Sequence, residues 1–332
     1  MLVPKIKKLY DIDPRSWEHP ADRAALSALR QLKGLDELVS SLVSVTLERS
    51  LKLMQLASSV KVTERQFPRI RRLMDEVVDT FDWPYNPPVF VSQSPFFNAM
   101  VLGVKEPFVV VNSSLLKNFD ETEVKAVLAH ELGHIMSGHA LYKTLVWLVA
   151  NISLSLIPMA EILVWPLIAA LSEWNRKSEL TADRAEVLAL QDDMPSLNAL
   201  MRMAGGEDLS QVDLNEFFLQ AREYDAQKTL LDSIHKLLNQ LWMTHPYPVE
   251  RIQELRTWSA SGAFKAILDG NYLKRGFSAE TPEEDIKAGY EFYKRDMEES
   301  EDPLARLASN VGKGIEKAAG NLGDALKELF KP

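Results

Sequence analysis

The chain has 332 residues, 46% of them hydrophobic and 26% charged, enough apolar surface to bury a substantial core in one domain or two. Its formal net charge of -9 argues against general nucleic-acid binding, so no nucleic-acid partner is expected. Cysteine is absent, which excludes a disulfide framework and any cysteine metal site.

At the start, Met1-Leu2-Val3-Pro4-Lys5-Ile6-Lys7-Lys8 carries basic residues with neither an apolar core nor a small-residue cleavage site after them. That pattern argues against a secretory signal, and a cytoplasmic location is the expectation. Residues 26–56 and 67–81 repeat apolar side chains at helical spacing, the second through Ile70, Leu73, Val77 and Val78. Three prolines break the pattern between Asp82 and Pro88. Val89-Phe90-Val91 reads as a short strand, and Phe108-Val109-Val110-Val111 as another, ending in a turn at Asn112-Ser113-Ser114. Few strands among many helices make the fold class α+β, predominantly helical, with a small sheet.

Asp120 followed by Glu123 reads as a helix N-cap with its reciprocal glutamate, and Val124, Val127, Leu128, Leu132 and Ile135 continue at helical spacing. On that helix lies His130-Glu131-Leu132-Gly133-His134. Two imidazoles four residues apart rise on one helix face and can bind one zinc ion, with the intervening glutamate reaching metal-bound water. Zinc lowers the pKa of such a water from ~15.7 toward ~7, and a carboxylate accepts its proton during attack on a peptide carbonyl. The strand, loop and metal helix follow the order of a zincin. Catalytic zinc usually has three protein ligands, so one is still to be found. His139 is close in sequence but sits about 140° further around the helix from His134, which suits a helix-end or supporting histidine better than a ligand.

Residues 145–171 are strongly apolar yet interrupted by Asn151, Pro158, Glu161 and Pro166. A bilayer crossing needs ~20 mostly apolar residues, and two need ~40 plus a turn. If the histidine helix and the segment after 171 share one ion, a single crossing would separate them. Two short helices meeting near Pro158, buried or dipping into one leaflet, are expected instead. Beyond them, Glu179 and Asp183 lie one helical turn apart, so that one carboxylate could bind zinc and the other orient a ligand imidazole. A solvated charged face paired with Arg176 and Arg184 is the plainer alternative. Thr244-His245-Pro246 precedes the amphipathic run Val249, Ile252, Leu255, where His245 could simply start a helix. As a donor to a tetrahedral intermediate it would contribute ~3 kcal/mol or more. An acidic linker, Glu298 to Pro303, leads to residues 304–330, where Leu304, Leu307, Val311 and Ile315 begin a helical stripe with several glycines.

Taken together, His130-Glu131-Leu132-Gly133-His134, the run Arg176 to Asp183, and Thr244-His245-Pro246 resemble the HtpX and CAAX prenyl protease family of zinc metallopeptidases. The resemblance covers roughly residues 70 to 260 with three motifs in order. It implies a gluzincin-type core with the sheet beside the metal helix, and one Zn2+ per chain held by His130, His134 and Glu179. It further implies Glu131 as general base, Asp183 supporting a ligand, His245 stabilising the oxyanion, and Arg251 holding that segment. Asn98 and Ala99, ahead of Gly103, resemble the segment preceding that family's active-site strand, and all three residues are candidates for the strand that contacts substrate.

The resulting expectation is a zinc metalloendopeptidase acting on polypeptides. Its expected division is an N-terminal helical region over 1–66, a catalytic domain over 67–270, and a linker with an amphipathic tail over 271–332. Peripheral membrane contact would run through 145–171 or 304–330. Two other classes remain: an inactive peptidase-fold scaffold or partner-binding protein, and a metal-free helical protein of the membrane surface.

Overall fold

A computed structural model of the chain describes residues 6–31, 45–151, 161–205, 208–226, 245 and 248–276. It is an α+β fold, mostly helical. The elements run α1 (Pro20–Gln31), α2 (Val45–Ser58), β1 (Val60–Lys61), α3 (Pro68–Thr80), β2 (Val89–Ser92), β3 (Ala99–Leu102), β4 (Phe108–Asn112), α4 (Ser113–Asn118), α5 (Glu121–Met136), α6 (Ala140–Asn151), α7 (Glu161–Leu190), α8 (Met194–Gly205), α9 (Leu214–Ala226), α10 (Pro248–Ser259) and α11 (Gly262–Leu268). The break expected near Pro158 and the tail over 304–330 lie outside the described residues.

The sheet has the order β1-β2-β4-β3, with β2 and β4 parallel and the other pairs antiparallel. Strands β2 and β4 are the two that the short apolar, β-branched runs predict. On β4, Val109 and Val111 face the main core under α3 and α5, while Phe108 and Val110 join Phe90, Leu102 and Leu51 on the opposite face. Both faces are therefore covered, which is why this strand reads as a continuous apolar run. The turn expected at Asn112-Ser113-Ser114 is instead the start of a short helix, α4, with Asn112 in the N-cap position. Strand β3 forms the sheet edge and turns into β4 through Gly103, whose φ of 102° few other residues adopt. Glu48 of α2 accepts the N–H groups of Val104, Lys105 and Glu106 in that turn.

Helix α5 begins with a complete capping box. The Asp120 carboxylate accepts from the Thr122 and Glu123 N–H groups, and Glu123 accepts from the Asp120 N–H in return. This helix is buried on almost every side, so its apolar residues pack against both the sheet and α7. Gly133 permits the close approach. A Cβ built there would stand 2.8 Å from the Ala185 Cβ and 3.3 Å from the Ala182 Cα, so any larger residue must push α7 away. The N-terminal segment shares this core: Leu9, Ile12, Trp17 and Val62 pack in one cluster with Val77, Val109 and Leu188. Among the described residues no helix is long and apolar enough to cross a membrane.

Candidate metal centre

Helix α5 carries His130 and His134 one turn apart, and their rings meet at 4.8 Å between centroids. Helix α7, held close at Gly133, brings Glu179 opposite them. Nε2 of His130 lies 3.2 Å from Glu179 Oε2, and Nε2 of His134 lies 3.2 Å from Glu179 Oε1. Just before α10, His245 sets its Nδ1 2.6 Å from Glu179 Oε2 and its Nε2 2.7 Å from the Ala99 carbonyl oxygen. His130, His134, Glu179 and His245 each offer a ligand atom within 4.8 Å of the others, a set that could hold a metal ion. Glu131 lies beside this set, with Oε1 3.8 Å from His245 Nε2.

Three observations suit a cation here. The Nε2 atoms of His130 and His134 and Oε2 of Glu131 are buried without hydrogen-bond partners, an expensive arrangement for protein alone. The donor set is imidazole nitrogen and carboxylate oxygen, which matches a divalent transition metal. Charge also favours it: four buried carboxylates, Glu131, Glu179, Asp183 and Glu186, face two buried cations, Lys143 and Arg251.

The titration directions follow from that crowding. Burial would raise the Glu179 carboxyl, but His245, Lys143, His130 and Arg251 outweigh it and hold it well below the usual carboxylate range. Burial followed by the Lys143 charge holds His134 well below the imidazole range, so it stays neutral. His130 goes the other way. Burial would lower it, yet the Glu179, Asp183 and Glu186 carboxylates prevail and raise it. Burial pushes Glu131 up, which makes it a stronger base.

Around the set, Asp183 is held by Arg251 through Nε at 2.9 Å and through Nη2, while Arg251 Nη1 lies 3.3 Å from Glu179 Oε2. The expected tie between Arg251 and the site thus runs through both carboxylates. Nδ1 of His130 lies 2.8 Å from Glu186 Oε1 and 3.2 Å from Asp183 Oδ1. Glu186 is therefore nearer to that imidazole than Asp183 is. Its place one further turn along α7 was a signal in the sequence, since positions 179, 183 and 186 share a helical face. Lys143 of α6 contacts Glu179 Oε1, and nothing in its spacing from the histidines announces that.

The alternative of a solvated charged helix does not hold. Glu179 and Asp183 are 0% and 1% exposed, Arg176 pairs with Glu250, and Arg184 donates to the Trp17 and Glu18 carbonyls. The three candidates for substrate contact separate. Ala99 touches His245, Asn98 accepts from the Asn112 N–H through its carbonyl, and Gly103 forms the β3–β4 turn, where its N–H donates to Thr144 Oγ1. Two small cavities open on Glu131 and His245, one walled by Val127, Leu200 and Met203, the other by Leu102, Lys143 and Trp147.

Comparison with known proteins points the same way. The model of peptidase family M48 matches residues 64–259. The plastoglobule-localized metallopeptidase 48 of Arabidopsis thaliana is 32% identical over 263 residues, covering 78% of this chain and 76% of that protein. A protease HtpX homolog of Helicobacter pylori is 25% identical over 231 residues, covering 61% of this chain and 70% of the relative. The protease HtpX of Aliivibrio salmonicida is 40% identical over 67 residues, 20% of this chain and 23% of its own length. No solved structure matches the chain significantly.

Proposed function

This chain belongs to peptidase family M48, and from that premise we propose that it is a zinc-dependent endopeptidase acting on polypeptides. In this reading His130, His134 and Glu179 hold one zinc ion, Glu131 is the general base, and His245 serves the oxyanion. The observation that carries it is the convergence of two buried, unpartnered Nε2 atoms on one buried carboxylate, with Glu131 alongside. Zinc bound there would polarise the scissile carbonyl and acidify a water.

The protein's own groups do the rest. Glu131, raised by burial, takes the proton of the attacking water and returns it to the leaving amine. His245 stands between Glu179 and edge strand β3, so its ring N–H can donate to an oxygen developing charge beside that strand. The substrate backbone would lie along the β3 edge near Asn98 and Ala99. Asp183 and Glu186, backed by Arg251, keep the His130 ring oriented. Because the HtpX homologues are proteases by name, a polypeptide substrate is the corresponding choice here.

The direct test is turnover of an unstructured protein substrate by the full chain. A strong chelator should abolish hydrolysis and added zinc should restore it. Zinc bound at one per chain with no cleavage of any peptide in a diverse library would make the protein a scaffold on a peptidase fold.

His245 gives a finer test. His245→Ala should lower kcat by ~100-fold or more while zinc content stays near that of the parent, since the donor is lost and the ligands remain. If metal falls in parallel with activity, the imidazole is a ligand or a support, a role its 2.6 Å approach to Glu179 would also suit.

A further inference from the structure

Resting on the reading of His134 as a metal ligand, we propose that His139 and Asp22 are positioning residues that fix its tautomer. His139 follows α5 and is 1% exposed. Its Nδ1 lies 3.0 Å from Nδ1 of His134, on the side of that ring away from Glu179. On its other side, its Nε2 lies 3.1 Å from Oδ2 of Asp22, close enough for a strong electrostatic contact though off the line of a strict hydrogen bond. Asp22 comes from α1 and is also 1% exposed. The Thr181 hydroxyl donates to the same carboxylate oxygen at 2.5 Å and accepts from the His19 N–H at 3.0 Å.

The direction of this chain follows from donor counting. Two facing ring nitrogens can share only one proton, so one donates and the other accepts. A metal needs the Nε2 lone pair of His134, which places that ring's proton on Nδ1. Nδ1 of His139 must then accept, and its single proton sits on Nε2, toward the Asp22 carboxylate. The reverse assignment would put a proton on His134 Nε2 and point it at the metal position. Asp22 decides between the two, because a buried carboxylate needs a donor opposite it and His139 Nε2–H is the one the imidazole can offer. The Trp174 ring, 5.5 Å from His139 and nearly perpendicular to it, limits rotation of the imidazole.

The consequence is that a helix ahead of the matched residues 64–259 takes part in the metal centre. His130 is oriented from α7 through Glu186 and Asp183, and His134 from α1 through His139. The two ligand imidazoles thus have different partners, with Thr181 of α7 tying Asp22 to the helix that supports His130.

The test is zinc affinity of the full chain, measured by competition with a chelating indicator, for the parent, His139→Leu and His139→Gln. Loss of an orienting partner should weaken zinc binding by ~10 to 100-fold in His139→Leu. His139→Gln has an amide oxygen to accept and an amide nitrogen to donate, so it should recover most of that loss. A purely structural role would lower the melting temperature of the metal-free protein without a rescue specific to glutamine. Nitrogen-15 spectra of ring-labelled histidine in the zinc-loaded parent add a readout that needs no variant. They should find the His134 proton on Nδ1 and the His139 proton on Nε2. Parent-like zinc affinity in folded His139→Leu, or a His139 proton on Nδ1, would overturn the inference alone. A parent chain that binds no zinc would overturn the proposed function and the inference with it.

Discussion

Glu131→Gln is expected to keep about one zinc per chain and to lose peptide hydrolysis by ~1000-fold or more, within the range for removal of a positioned general base. The carboxylate lies beside the proposed ligands rather than among them: its Oε1 stands 3.8 Å from His245 Nε2, and its Oε2 is buried without a hydrogen-bond partner. Glutamine has nearly the same shape and removes the basicity together with the charge, and since no ligand is lost the fold and the metal should both survive. Zinc content is read by elemental analysis and turnover on an unstructured substrate. Equal rates for parent and variant would remove Glu131 from the mechanism, and loss of metal in the variant would make it a ligand.

Glu179→Ala should cost both zinc and activity, with affinity weakened by more than the ~10 to 100-fold typical of an outer partner. Its carboxylate is the group that both Nε2 atoms face. It is also the partner of Lys143, so removing it strands that buried cation while Arg251 keeps Asp183, and loss of a buried ionic partner costs ~3–5 kcal/mol. Glu179→Gln separates the effects. It preserves volume and one acceptor oxygen, so the fold should be retained better while zinc binding still falls sharply. Glu186→Ala is the control, because Glu186 faces Nδ1 of His130 and should weaken zinc only as an orienting residue does. Normal zinc binding in Glu179→Gln together with its loss in Glu186→Ala would exchange the two assignments.

Several features of this site were legible in one dimension because they depend on local geometry. The spacing of His130 and His134 and the cap formed by Asp120 and Glu123 follow from the 3.6-residue helical period, and short apolar β-branched runs mark β2 and β4. The resemblance to HtpX-type proteases selected Glu179 and His245 from a chain with many acids.

What the local pattern left open has a common cause. Glu179, Asp183 and Glu186 lie on one face of α7, so periodicity cannot say which reaches the metal side of the histidines. That is decided by where α5 and α7 cross, and the crossing is set by the missing Cβ at Gly133 against Ala182 and Ala185. It aims Glu179 at the two Nε2 atoms and Glu186 at the back of His130. Lys143 and Asp22 reach Glu179 and His139 from α6 and α1, elements whose sequences contain no sign of those contacts. The contacts exist only once the helices pack, and burial removes the water that would otherwise screen their charges. By itself, then, the sequence determined the family, the histidine-bearing helix and its cap. Tertiary packing carried the carboxylate that the resemblance had singled out to the histidines, and it alone decided which charges stand behind them.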